Sequence, residues 1–87
     1  MKIHYHRNFI KAYRKRIPPS SNLNQKFKQR LALFIKDPTN STLRDHRLKG
    51  GKLGHRAFSV TGDMRVIYER VRDGVLLHDI GTHNQVY

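Results

Sequence analysis

Apolar positions along the chain change period twice. Lys2-Ile3-His4-Tyr5-His6 alternates as a short strand does, and from Phe9 the spacing turns helical through Ile10, Tyr13 and Ile17. Arg7, Lys11, Arg14 and Lys15 fill the polar side of that helix. Pro18-Pro19 closes it, because proline pushes the preceding residue out of helical geometry. Ser20 or Ser21 is placed to cap a second helix, whose apolar stripe is Leu23, Phe27, Leu31, Phe34 and Ile35. Asp37-Pro38 stops it. After a polar stretch from Thr39 to Gly54 the pattern becomes that of strands: Arg56 to Thr61, Met64 to Val71 and Val75 to Ile80. Gly62-Asp63 predicts one tight turn, and Asp73-Gly74 predicts a hairpin turn of type I′. Gly81 then releases a tail, Thr82 to Tyr87.

The predicted order is β-α-α-β-β-β. It is an α+β fold in which two N-terminal helices pack on one face of an antiparallel sheet, a single domain over residues 1–87. Neither helical stripe is long enough to fold alone, so both must lie on the sheet. The sheet's other face is expected to stay open and to serve as the binding surface. A bulge at Gly62 would flip one strand relative to its neighbour.

Composition narrows the function classes. Eighteen Lys and Arg face six Asp and Glu in 87 residues, a formal net charge of +12. Residues 1–36 hold ten of the basic residues and no acid. A field of this strength attracts polyanions such as nucleic acid. There is no cysteine, which removes disulfides, thiolate nucleophiles and thiolate metal sites. No apolar run is long enough to span a membrane, and no apolar stretch follows the basic N-terminus as in an export signal. A cytoplasmic protein with no membrane partner is expected.

The acids are Asp37, Asp45, Asp63, Glu69, Asp73 and Asp79. They are too few and too scattered for a paired-carboxylate or multi-carboxylate metal mechanism, so no cofactor or metal is expected. Histidine is the richer resource: His4, His6, His46, His55, His78 and His83. His4 and His6 share one side of a strand, and His78 is expected to partner Glu69 across strands. His46 and His83 lie in loop or terminal segments, where functional residues concentrate. Arg44, Arg47 and Lys49 surround His46; Thr82, Asn84 and Gln85 surround His83. Two histidines with arginines suit metal-independent ribonuclease chemistry: a base for the 2′-OH, an arginine for the phosphate and an acid for the leaving 5′-oxygen. They equally suit a passive RNA binder.

Three motifs favour the first reading. Leu43-Arg44-Asp45-His46-Arg47-Leu48-Lys49-Gly50, Phe58-Ser59-Val60-Thr61-Gly62-Asp63-Met64-Arg65-Val66-Ile67-Tyr68 and Asp79-Ile80-Gly81-Thr82-His83-Asn84-Gln85-Val86-Tyr87 resemble, in order and spacing, segments of the RelE/ParE superfamily of bacterial toxins, and together its YafQ-like branch. The resemblance implies an RNase-like fold and a metal-independent endoribonuclease that cleaves mRNA on the ribosome, in the 30S A site. It also implies a cognate acidic antitoxin. By position it implies catalytic roles for His46, Asp63, Arg65, His83 and Tyr87, with Arg65 as phosphate clamp. Arg44, Arg47, Lys49, Lys52 and Arg56 are the candidate RNA-binding cations. Ser59, Met64 and Asp79 depart from the branch, standing where it has a histidine, a tryptophan and an arginine. A ParE-like inhibitor of DNA gyrase and a non-catalytic RNA- or ribosome-binding module are the alternatives on the same fold.

Overall fold

A computed structural model describes residues 1–49 and 54–87. Strand β1 (Lys2–Tyr5) leads into helices α1 (Arg7–Arg16) and α2 (Asn22–Lys36), then a 3-10 turn, Ser41–Leu43. Strands β2 (His46–Arg47), β3 (His55–Ser59), β4 (Met64–Val71) and β5 (Gly74–Thr82) follow, and helix α3 (His83–Val86) ends the fold. The five strands form one sheet in the order β1-β5-β4-β3-β2.

The architecture is α+β with the helices on the sheet, but the sheet is mixed, not antiparallel. β1 runs parallel to β5, pairing Lys2 with Gly74 and Tyr5 with Leu77. β3, β4 and β5 form an antiparallel meander whose outer edge β1 covers. The His6 N–H bonds to the Leu77 carbonyl at 2.9 Å, so parallel pairing sets the start of α1 midway along β5. The two-residue β2 edge and the helical turn in the tail were not legible as elements.

The β4–β5 turn also differs from expectation. Its residues are Arg72 and Asp73, and neither they nor Gly74 has positive φ, so a type I′ turn does not form. The glycine is needed for another reason. A Cβ at Gly74 would lie 1.9 Å from the Lys2 carbonyl oxygen. Only a residue without a side chain lets β1 come alongside.

Both helices are capped by the side chain before them. His6 Nδ1 accepts from the Asn8 N–H at 3.0 Å. Ser21 Oγ accepts from the Asn24 N–H at 3.2 Å, while Ser20 takes φ 63° in the preceding turn. Phe9, Ala12, Phe27 and Phe34 are buried on the sheet side. Ile10 and Ile35, expected in the stripes, are exposed, because each sits one helical step of about 100° past the buried Phe9 and Phe34.

The main core lies between the helices and the sheet. Phe34 stacks on Phe58 with centroids 4.7 Å apart and meets Tyr68 edge-on at 5.0 Å. Val66, Val75, Leu77 and Ile80 complete that sheet face. The other face is not fully open: Leu48 and Val86 fold onto Ala57 and Ile67 in a second, smaller cluster. The register shift falls not at Gly62 but between Ile67 and Tyr68, where Ile67 pairs Asp79 and Tyr68 pairs Leu77, leaving His78 as the extra residue.

Candidate active site

The second cluster positions the candidate site. Val86 is buried against Ala57 and Ile67, so α3 folds back across the sheet and brings His83 and Tyr87 with it. The Thr82 N–H donates to Gln85 Oε1 at 2.8 Å, closing the turn. The His83 and Tyr87 rings meet edge-on, centroids 4.5 Å apart. The Tyr87 hydroxyl reaches within 3.5 Å of His46 Nε2. Burial raises the Tyr87 hydroxyl above the ordinary tyrosine value, opposed by the nearby positive charge of Arg65. Arg65 pairs with Ser59 on β3 and Gly81 on β5, and its Nη1 donates to Ser59 Oγ at 2.9 Å. His46, Arg65, His83 and Tyr87 therefore converge. Asp63 does not join them. It stays exposed in the turn between β3 and β4, where its N–H bonds to Thr61 Oγ1 at 3.3 Å. Among the described residues its carboxylate has no hydrogen-bond or ion-pair partner.

His46 is held in one orientation. Leu43, fully buried, anchors the 3-10 turn, and Arg44 follows in left-handed geometry at φ 49°. The Arg44 carbonyl lies 3.0 Å from His46 Nδ1. A carbonyl can only accept, so Nδ1 is the donor here, and a lone pair, where the ring has one, lies at Nε2, on the side of Tyr87. Behind the loop, Asp45 is fixed to the main core. Arg56 Nε donates to Asp45 Oδ1 at 2.8 Å, and the Tyr68 hydroxyl donates to Oδ2. Burial and the Asp45 carboxylate both push the Tyr68 hydroxyl well above its ordinary value. Burial alone would lower the Arg56 guanidinium, but its bonds to Asp45 and Tyr68 outweigh that and raise it. A polar cavity of about 350 Å³ adjoins the constellation, lined by Arg30, Ser41, Thr42, Arg44, Ser59, Thr61 and Gly62.

The sequence profile of YafQ, a bacterial toxin of type II toxin–antitoxin systems, matches residues 1–87. The chain belongs to this family. Among solved structures it resembles Escherichia coli YafQ at 25% identity and TM-score 0.80, over 99% of this chain and 97% of that one. It resembles the E. coli DinJ–YafQ complex at 24% identity and TM-score 0.79, over 99% and 97% of the two chains. A YoeB/ParE toxin from Agrobacterium tumefaciens shares the fold at 16% identity and TM-score 0.75, over 95% and 99%. No curated protein matches at sequence level.

Within this YafQ-family toxin the departures from the branch find local partners. Ser59, the one polar residue among the buried described residues, holds Arg65. Asp79 pairs with Arg16 Nη1 at 3.1 Å, and the same nitrogen bonds to the Ile80 carbonyl at 2.8 Å. Arg16 so lies against Gly81, the β5 partner of Arg65. Among ten cations in the first 36 residues nothing in the sequence singles it out; only the end of α1 meeting β5 does. The candidate RNA-binding cations divide. Arg44 lines the polar cavity and Lys49 is exposed beside the buried Leu48. Arg47 and Arg56 pair with each other on the opposite sheet face, lining a groove of about 320 Å³ with Gly54 and Arg70. Lys52 and the Gly50 end of the first motif lie outside the described residues. His78 does meet Glu69, with Nε2 to Oε1 2.9 Å. Together with His55 they form a three-donor group separate from His46, Arg65, His83 and Tyr87. Among the described residues no helix is long and apolar enough to cross a membrane.

Proposed function

We propose that this toxin is a metal-independent endoribonuclease that cleaves mRNA in the ribosomal A site, and that an acidic antitoxin restrains it. The observation that carries the reading is the convergence of His46, Arg65, His83 and Tyr87 at one end of the sheet. His46 Nε2 takes the proton of the 2′-OH, because its other nitrogen is committed to the Arg44 carbonyl. The 2′-oxygen attacks the phosphorus. Arg65, oriented by Ser59, stabilises the charge that builds on the phosphate oxygens. His83 protonates the departing 5′-oxygen. The products are a 2′,3′-cyclic phosphate and a 5′-hydroxyl. The Tyr87 ring offers a stacking surface for a splayed base, and its hydroxyl sits beside His46 Nε2, where the incoming 2′-OH would displace it.

The solved DinJ–YafQ complex supports an antitoxin partner. The acid-free N-terminal segment supports an acidic one, whose association should be fast and salt-sensitive. The decisive experiment maps 5′ and 3′ ends of mRNA translated in the presence of purified toxin. Cuts within A-site codons leaving 2′,3′-cyclic phosphates are expected, and they should persist when chelator is added to pre-assembled complexes. Intact RNA under those conditions would overturn the reading.

A further inference from the structure

The sheet face that carries the catalytic residues has a second polar end. Ala57 and Ile67 occupy the middle of the face under Leu48 and Val86. Beyond them lie His55 on β3, Glu69 on β4 and His78 on β5. We propose that these three residues form a zinc site that staples the three strands together. The inference does not rest on the nuclease reading.

Three observations support it. One donor atom from each residue lies within 4.8 Å of the others, and His78 Nε2 is already 2.9 Å from Glu69 Oε1. The His55 and His78 rings stack at 4.4 Å, which fixes their planes side by side. His78 is also the extra residue of the β5 bulge, a device that re-aims a side chain out of its regular alternation. Bonds of about 2.0–2.2 Å around a tetrahedral ion put donors about 3.4 Å apart, so side-chain rotations of about 1 Å close the set. Two imidazoles and a carboxylate are a mixed nitrogen and oxygen set, which suits zinc and not the all-oxygen preference of magnesium or calcium. All three residues are half-buried, so water can supply the fourth ligand. His6, whose ring lies 5.1 Å from that of His78, has its Nδ1 committed to capping α1.

A chain of net charge +12 repels cations, so binding must come from coordination and not from the general field. Zinc there would replace the proton shared between His78 and Glu69. Glu69 is four residues along β4 from Arg65, about 13 Å at strand spacing, so the ion would act on stability and not on the reacting phosphate.

The test uses untagged, chelator-stripped full-length toxin titrated with zinc by calorimetry, with cobalt absorption as a second readout. One equivalent should bind with micromolar or better affinity. At about 100-fold over the dissociation constant, zinc should raise Tm by about 10 °C. Glu69→Gln and His78→Asn should each weaken binding about tenfold or more, with circular dichroism confirming that the near-isosteric Glu69→Gln protein is folded. His46→Asn with His83→Asn should still bind one equivalent. No binding at about 100 μM zinc would overturn the proposal. So would binding that survives loss of Glu69 and His78 and disappears with His46 and His83, which would move the ion to the catalytic constellation.

Discussion

On the helix side of the sheet, Phe58, Val66 and Tyr68 meet Phe9, Phe27 and Phe34 in an aromatic-rich core. On the reverse of the same strands, among the described residues, Ala57 and Ile67 find apolar cover from Leu48 and Val86, and both ends of that face are polar. β4 alternates between the two worlds: Val66 and Tyr68 serve the core, Arg65 the constellation and Glu69 the histidine cluster. Burial of a large side chain stabilises by about 1.5–3 kcal/mol, so the helix side supplies most of the fold's stability. The reverse can then hold polar groups that packing alone would not select.

If the division is real, variants on the two faces should fail differently. The largest effect belongs to His83→Ala. It should slow single-turnover cleavage by about 10²–10⁴-fold, the usual share of a positioned acid, with RNA binding and urea stability nearly unchanged. Arg65→Ala should lose cleavage and also weaken binding, since a phosphate clamp acts before and during reaction. Cleavage at the wild-type rate by His83→Ala would make the C-terminal motif structural. Phe34→Ala should show the opposite signature. Removing the ring that packs on Phe58 and Tyr68 should cost about 3–5 kcal/mol by denaturant melts, with the chemistry of the folded fraction intact.

Tyr68→Phe probes a place where the two faces are joined. Its hydroxyl belongs to the core but holds Asp45, next to His46. Loss of the hydroxyl should cost about 1–3 kcal/mol and also reduce the cleavage rate; stability loss with unchanged rate would show that the Asp45 strut does not position His46. The Tyr68 pKa is raised in the fold, so its neutral hydroxyl stabilises below the ordinary tyrosine range and that contribution fades as pH climbs above it. Melts across alkaline pH should therefore fall more steeply for wild type than for Tyr68→Phe. The smallest effect is at the sheet edge. His4 Nε2 lies 2.9 Å from Asp73 Oδ1 and holds that carboxylate below its usual range. The contribution is present above the ordinary Asp range and lost as pH falls through it. Asp73→Asn should slightly destabilise near neutrality and not in acid; equal destabilisation at both would assign the effect to the turn instead.

Sequence period exposed both helices, the three long strands and the side of each helix that faces the sheet, because burial imposes those periods directly. It did not expose the direction of β1, since alternation is the same in parallel and antiparallel pairs; only the clash a Cβ at Gly74 would make with Lys2 carries that information. The resemblance of the three motifs brought out His46, Arg65, His83 and Tyr87, which the fold does gather. It could not separate Arg47 and Arg56 from them, because a two-residue strand that turns alternate side chains to opposite faces leaves no periodic trace. Asp63 matched by position but remains a turn residue, and Arg16 reaches β5 only through the packing of α1.

The parallel contact between β1 and β5 also has a meaning in time. Lys2 finds its partner 72 residues later, at Gly74, so the first strand made must wait for the last. At roughly 5–20 residues per second the ribosome takes several seconds to cover that distance, and long-range pairing is slow to close even then. Throughout that interval α1 and α2 carry their aromatic side chains with no finished sheet to cover. His83 and Tyr87 lie beyond β5, so the constellation cannot assemble before β5 has been made. A nascent chain thus lacks the full constellation until Tyr87 has left the exit tunnel.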